Sequence, residues 1–154
     1  MTYKRKTSCE KLNTKKQLKI VNDPKGRGKI LIPKPTQIIS LIKQIPRGKL
    51  TTIELVREKL ARDYKVDLTC PLVTGIFLRL IAECEEEKLN KGVIGEDEML
   101  PYWRVLRSDG SLNNKFPGGV ELQAERLKRE GFKIVARHRK LYVDNYREYL
   151  DEFN

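Results

Sequence analysis

Histidine is nearly missing from this chain, with His138 alone, and the three cysteines, Cys9, Cys70 and Cys84, include no C-x-x-C pair. A structural or catalytic metal site needs several soft or imidazole ligands at close spacing, so neither a metal nor another cofactor is expected. The thiols are read as unpaired core or surface groups, not as a disulfide. No apolar run approaches the roughly 18 residues that span a bilayer. The Lys-rich N-terminus lacks the apolar stretch of a secretory leader. No membrane partner is expected, and the protein is read as soluble and cytoplasmic. A nucleotide-binding P-loop is also excluded, since Pro24-Lys25-Gly26-Arg27-Gly28 lacks the Gly-Lys-Ser/Thr ending and a following helix.

Positive charge is abundant. Lys and Arg number 32 against 21 Asp and Glu, a net +11. Such an excess suits a polyanionic partner, because neutralised phosphates release their counterions. The charge is uneven: residues 1–34 carry eleven Lys and Arg against Glu10 and Asp23, about +9, leaving about +2 for the other 120 residues. This divides the chain into a basic N-terminal arm or hairpin, 1–34, and a domain, 35–154. Nucleic-acid contact by the arm outweighs a merely solubilising tail.

Residues 1–16 show no period and are read as irregular. Leu18-Lys19-Ile20-Val21 and Lys29-Ile30-Leu31-Ile32 are β-prone runs around the basic glycine loop. Pro35-Thr36 opens a helix with Ile38, Ile39, Leu41, Ile42 and Ile45, stopped by Pro46. Thr51 and Glu54 have capping-box spacing, so a second helix begins near Thr52, with Ile53, Val56 and Leu60 on one face.

A third helix, with Thr69 as N-cap and Pro71 in its first turn, has the strongest period. Val73, Ile76, Phe77, Leu80, Ile81 and Cys84 form its expected buried stripe. Thr74, Gly75, Leu78 and Arg79 then fall on the other face, small and basic enough for its backbone to approach DNA. The acidic run from Glu83 to Glu98 would repel phosphates and is placed away from DNA.

The later chain reads as a strand from Tyr102 to Arg107, a Ser108-Asp109-Gly110 turn, and a helix led by Gly118-Gly119 and ended at Gly131. Residues 132–136 and 141–143 pair as a hairpin with the basic tip Arg137-His138-Arg139-Lys140, and a last helix runs from Asp144 to about Glu152. Helices followed by a hairpin with a basic tip suggest a winged helix-turn-helix, mainly α with small β. Arg137, Arg139 and Lys140 would meet the DNA backbone.

Ile45-Pro46-Arg47-Gly48-Lys49-Leu50-Thr51-Thr52, Pro101 with Arg104-Val105, Gly110, Gly118-Gly119 and Glu130-Gly131 occur in that order. Together they resemble the C-terminal DNA-binding domain of the alkylguanine-DNA alkyltransferases over about residues 41–131. The resemblance implies a winged helix-turn-helix that binds double-stranded DNA through the minor groove and turns an alkylated guanine into a pocket. Pro101, Tyr102, Trp103, Gly118 and Gly119 would surround that pocket, with Arg104 beside it.

Tyr102 and Trp103 stand where the family has its acceptor Cys and its His. A phenol with an ordinary pKa near 10 cannot replace an activated thiolate, and an indole accepts no proton. No catalytic residue is therefore assigned. Two further departures are Ile53, where the family opens its helix with Tyr, and Pro71, at the place of an intercalating Arg. The chain is similar to the cysteine-less, alkyltransferase-like branch, which implies lesion binding without reaction and hand-over to downstream repair proteins. Three alternatives stand beside it: a winged-helix regulator or architectural protein without lesion recognition, residual methyl transfer through Cys70, and a protein-interaction module that kept only the fold.

Overall fold

The computed structural model describes residues 6–13 and 17–153. Its elements are α1 (Ser8–Asn13), β1 (Lys19–Asn22), β2 (Lys29–Ile32), α2 (Pro35–Lys43), β3 (Thr51–Thr52), α3 (Ile53–Asp63), β4 (Leu68–Thr69), α4 (Pro71–Asn90), β5 (Val105–Leu106), α5 (Gly119–Arg129), β6 (Ile134–Arg137) and β7 (Lys140–Val143), with short 3₁₀ turns at Glu96–Glu98, Tyr102–Arg104 and Tyr146–Tyr149. The described residues are thus mainly helical, with small sheets. Among them, no helix is long and apolar enough to cross a membrane.

Local chemistry sets the boundaries. Pro35 at the first turn of α2 needs no N–H partner, and Gln37 Oε1 accepts from the Lys34 backbone N–H at 2.7 Å. Thr52, one residue later than the expected Thr51, caps α3 by accepting from Leu55 N at 3.1 Å. Thr51 instead lies in β3, paired with Val105. Thr69 likewise does not cap α4: its hydroxyl donates to Arg57 O at 2.8 Å, while Arg57 Nε donates back to Thr69 O, locking β4 to α3. The α4 N-cap is Cys70.

The three sheets are small. β1 pairs antiparallel with β2, and β2 runs parallel to β4 through Ile30↔Leu68 and Leu31↔Thr69. Cys70 N then donates to Leu31 O at 2.8 Å. The hairpin from the basic N-terminal segment is thereby fixed to the start of α4, and Leu31 joins the common core. β3 and β5 run parallel, while β6 and β7 form the hairpin expected near the C-terminus. Around these pieces Ile38, Ile42, Val56, Leu80, Ile81 and Leu127 close one apolar core.

The structure differs from the sequence reading in several places. Residues Ser8–Asn13 are helical, not irregular, and Cys9 is disulfide-bonded to Cys84 of α4 with the sulfurs 2.12 Å apart. Ser8 Oγ donates to Glu83 Oε2, and Ser8 N to Glu87 Oε1, so α1 docks on the acidic half of α4. The expected Tyr102–Arg107 strand is shortened to Val105–Leu106, preceded by a 3₁₀ turn. The expected last helix is a 3₁₀ turn, because the chain then extends and pairs with Leu50 through Leu50 N to Tyr149 O at 2.8 Å and Asp151 N to Leu50 O at 2.7 Å.

Candidate nucleic-acid interface

The start of α4 is a stiff platform. Pro71 fixes its first turn, and the Thr74 hydroxyl donates to Cys70 O at 2.7 Å. That bond turns Thr74 inward, where it is wholly buried. The expected groove face is corrected accordingly: Thr74 and Leu78 are buried, whereas Ile76, assigned to the buried stripe, is 40% exposed. α4 is embraced by α1, α2 and α3, so most of its circumference is covered and only a narrow stripe faces outward. Leu72, Gly75, Ile76 and Arg79 make up its N-terminal part. Among the described residues Leu72 is the most open large apolar side chain, at 70%.

That stripe forms one wall of a cleft of about 720 Å³. Ile53 at the start of α3 and the loop Leu106–Asp109 continue the lining, with Asn113, Lys115 and Lys140 opposite. Arg79, Arg107, Lys115 and Lys140 give it four cations. Asp109 is its one acid, held below the usual carboxylate range first by the Ser111 hydroxyl and also by Lys140, 3.3 Å away. Arg79 approaches Glu83 at 3.6 Å, and Arg107 donates to Asn114 Oδ1 at 3.2 Å. Both are loose, exposed pairings that a phosphate could replace.

The β6–β7 tip turns through His138 and Arg139, both at positive φ, as a two-residue hairpin requires. Its cations diverge. Lys140 reaches the cleft, but Arg137 lines a separate hollow with Asp109 and Tyr146 and lies 3.7 Å from Asp144. Arg139 is exposed at the turn.

Within the Pro101-Tyr102-Trp103-Arg104 segment, Tyr102 fills core space and lines neither hollow beside it, which corrects its expected place in a pocket. Tyr102 has no exposed surface, and its ring meets the rings of Trp103 and Phe116 edge-on at 5.4 and 5.1 Å. Its hydroxyl donates to Glu86 Oε2 at 2.7 Å, and Arg126 Nη2 donates to both oxygens of Glu86 at 2.6 and 2.8 Å. Burial, reinforced by Glu86, pushes the phenol's pKa well above its ordinary value. Glu86 is thus a buried partner within the acidic run, as is Glu85, whose Oε2 accepts from Leu100 N at 3.3 Å, and neither is merely turned away from DNA.

Trp103 Nε1 donates to Glu130 Oε2 at 2.5 Å, and Arg104 Nε donates to both Glu130 oxygens at 3.0 and 3.1 Å. Arg104 also donates to Ile45 O at 2.7 Å, so its guanidinium is committed to the protein and not to a groove. Glu130 ties the end of α5 to this segment. Pro101, Trp103 and Arg104 border a small charged hollow of about 300 Å³ shared with Arg47 and Glu96. Gly118 and Gly119 open α5 with positive φ. A Cβ on Gly118 would stand 2.7 Å from Leu122 Cβ, so the glycine serves a tight helix entry.

Cys70 carries a free, half-buried thiol at the α4 N-cap. The single histidine, His138, sits exposed at the hairpin tip. Among the described residues, no group of three His, Cys, Asp or Glu is arranged to hold a metal ion. Of the residues anticipated from sequence, the structure brings Gly75, Arg79 and Lys140 to one cleft. Leu72, Ile76, Arg107 and Lys115 were missed. Leu72, Ile76 and Arg79 do share i, i+4, i+7 spacing, a signal hidden by the stronger apolar period beside it.

No protein-family model matches this chain, and no curated protein matches it by sequence. Among solved structures it is similar to S. pombe Atl1 in complex with damaged DNA containing O6-carboxymethylguanine, with a TM-score of 0.51 and 21% identity over 76% of this chain and 93% of that one. A second structure, of S. pombe ATL in complex with DNA, aligns over the same shares with a TM-score of 0.52 and 21% identity. The chain shares the fold of these two.

Proposed function

We propose that this is a non-catalytic, alkyltransferase-like DNA-binding protein that takes duplex DNA across the cleft between α4 and the Leu106–Asp109 loop. The carrying observation is the pairing of two features: four cations line that cleft, while the acceptor position holds a buried Tyr102 whose hydroxyl is bound to Glu86. Such a phenol is neither accessible nor ionised, so no alkyl group is transferred to it. Similarity to structures solved with DNA supports the same partner. In this reading α3 and α4 serve as a helix-turn-helix with β6–β7 as its wing, and the basic hairpin β1–β2 adds charge beside it. The protein acts in the cytoplasm, where it meets DNA, and passes the bound site to repair proteins.

An alkylated guanine would be received by the open cleft, since the space at Tyr102 is filled. One observation favours the second reading, an architectural or regulatory protein without lesion recognition: the edge-on packing of Tyr102, Trp103 and Phe116 leaves no cavity lined by Tyr102 among those described.

A salt-series titration with matched plain and O6-alkylguanine duplexes separates these readings. The expected result is steep salt dependence, with log Kobs losing about 0.9 in slope for each phosphate contact removed by Arg79→Ala, Arg107→Ala or Lys140→Ala. Tighter binding of the alkylated duplex is expected, and equal affinity would leave only the second reading. Absence of duplex binding would refute both. Recovery of label on the protein from a radiolabelled alkylguanine duplex, lost in Cys70→Ser, would restore an enzyme.

A further inference from the structure

We infer that the outer edge of β1 takes an extended acidic peptide segment of a partner protein as an added strand. None of the β1 residues lines the cleft, so the inference stands apart from the DNA-binding reading. β1 ends the three-stranded sheet, in the order β1-β2-β4, and all four of its residues are exposed. Asp23 N donates to Gly28 O at 2.8 Å, and by alternation Val21 and Lys19 also turn their main-chain groups to β2. Ile20 and Asn22 therefore turn N–H and C=O to the open edge, and no group among the described residues bonds them there. Ile20 is 47% and Val21 39% exposed, one on each face of the strand. Ile20 lies opposite the buried Leu31, so it carries the apolar core face out to the edge. Natural edges are commonly blunted by proline, a bulge or a covering element. The β1 register runs unbroken, and Lys19 is its one charged residue.

The edge is held rigid from behind. The Asp23 carboxylate is buried in the turn, where it accepts from Lys25 N and Arg27 N at 3.1 Å each and from the Arg27 guanidinium. Asp67 Oδ2 accepts from Lys29 N at 2.8 Å, and β2 is paired to β4 on its other side. A strand docking here meets a surface already in place, so little ordering cost falls on this protein.

The chemistry of the edge names the occupant. Donors and acceptors both stand open along it, and a peptide strand satisfies both. A phosphate strand would satisfy the N–H groups and leave the carbonyl oxygens facing anions. Lys19, Lys25, Arg27 and Lys29 are all exposed on this hairpin, whose one acid, Asp23, is buried under Arg27. That field favours a segment with acidic side chains. A second copy of the chain would instead bring the same cations to the same edge.

The test uses the full chain and a fluorescein-labelled peptide of alternating Glu and Val, about six residues long like an ordinary strand. Strand addition takes its affinity from main-chain bonds, so this simple sequence suffices as the probe. Saturable binding by anisotropy is expected, with hydrogen exchange slowed at the Ile20 and Asn22 amides and little changed at Val21, which is already bonded to β2. The matching Lys-Val peptide should not bind. Ile20→Pro removes one edge N–H and leaves the β2 ladder intact, so it should melt near the wild type and bind the Glu-Val peptide on the order of tenfold more weakly. Proline at alternate positions of the peptide should produce a comparable loss with wild-type protein. Absence of saturable binding, equal binding of the Lys-Val peptide, or binding that leaves the Ile20 and Asn22 amides unprotected would each overturn the proposal. Protection of those amides by duplex DNA would assign the edge to DNA, and protection that rises with protein concentration alone would assign it to a second copy; either also overturns the peptide. Ile20→Pro should titrate duplex DNA as the wild type does, and a matching loss of DNA binding would likewise count against a separate peptide edge.

Discussion

Removing one oxygen from Tyr102 should cost stability at neutral pH and make the protein less sensitive to alkali. In Tyr102→Phe the ring packing against Trp103 and Phe116 is retained, and only the 2.7 Å bond to Glu86 is lost. A hydrogen bond to a charged acceptor contributes about 1.5–3 kcal/mol. Glu86 still receives Arg126 on both oxygens, so the carboxylate is not stranded and the lower part of that range applies, about 1.5–2 kcal/mol. For a chain of this length that corresponds to a melting point lower by roughly 3–8 °C.

The alkaline behaviour is the sharper half. Burial and Glu86 raise the folded phenol's pKa, while in the unfolded chain it ionises near its ordinary value of about 10. Below pH 10 both states hold the proton and the full contribution is present. As pH rises further, only the unfolded state gives the proton up, so unfolding becomes more favourable and the contribution is lost toward the folded pKa. At pH 11 the wild type should have lost about 1.4 kcal/mol through this residue, and Tyr102→Phe nothing. Urea melts of both proteins from pH 7 to 11 should therefore show the gap between them nearly closing. A gap that stays constant to pH 11, or no gap at pH 7, would refute the account of Tyr102 as a buried, protonated core residue.

Three further perturbations probe the frame that holds the cleft. The Cys9–Cys84 bond spans 75 residues, and chain-entropy reasoning for a loop of that size gives about 4.5 kcal/mol; reduction, or Cys9→Ser, should lower the denaturant midpoint accordingly, and rapid alkylation of all three cysteines in the unreduced native protein would contradict the bond. Glu130→Ala removes the carboxylate that Trp103 and Arg104 share, leaving a mostly buried guanidinium with Ile45 O alone; a loss of about 3–5 kcal/mol is expected by calorimetry, and a loss under 1 kcal/mol would show the pair to be replaceable by water. Gly110→Ala places a Cβ 2.3 Å from the Tyr146 ring at φ +84°; destabilisation above about 2 kcal/mol should follow, only partly recovered when Tyr146→Ala is added, because the backbone strain persists.

How far the fold could be read in advance divides along one physical line, between signals carried by neighbours in sequence and those created by packing. Pro35 and Pro46 bracketing α2, Gly131 after α5 and a hairpin from 132–136 and 141–143 are local, and the structure has each of them, with the hairpin's expected four-residue tip narrowed to His138 and Arg139 because Arg137 and Lys140 pair. The errors all involve distant partners. Cys9 and Cys84 lie 75 residues apart and meet only because a six-residue helix docks on α4. Glu86 sits in a run of charges that reads as a solvated face, and becomes a core residue because Arg126 and Tyr102 arrive from elsewhere to neutralise and bond it.

α4 shows the same limit with the greatest consequence for function. Its periodicity correctly marks Phe77, Leu80, Ile81 and Cys84 as buried, but a period gives the centre of a buried arc and not its width. Because three helices crowd this one, the arc widens to take in Thr74 and Leu78, and the surviving exposed stripe shifts to Leu72, Gly75, Ile76 and Arg79. The face offered to a partner thus loses Thr74 and Leu78 and gains Leu72 and Ile76 beside Gly75 and Arg79. That change, invisible in any single turn of the helix, is set by what packs around α4 and not by the helix's own period.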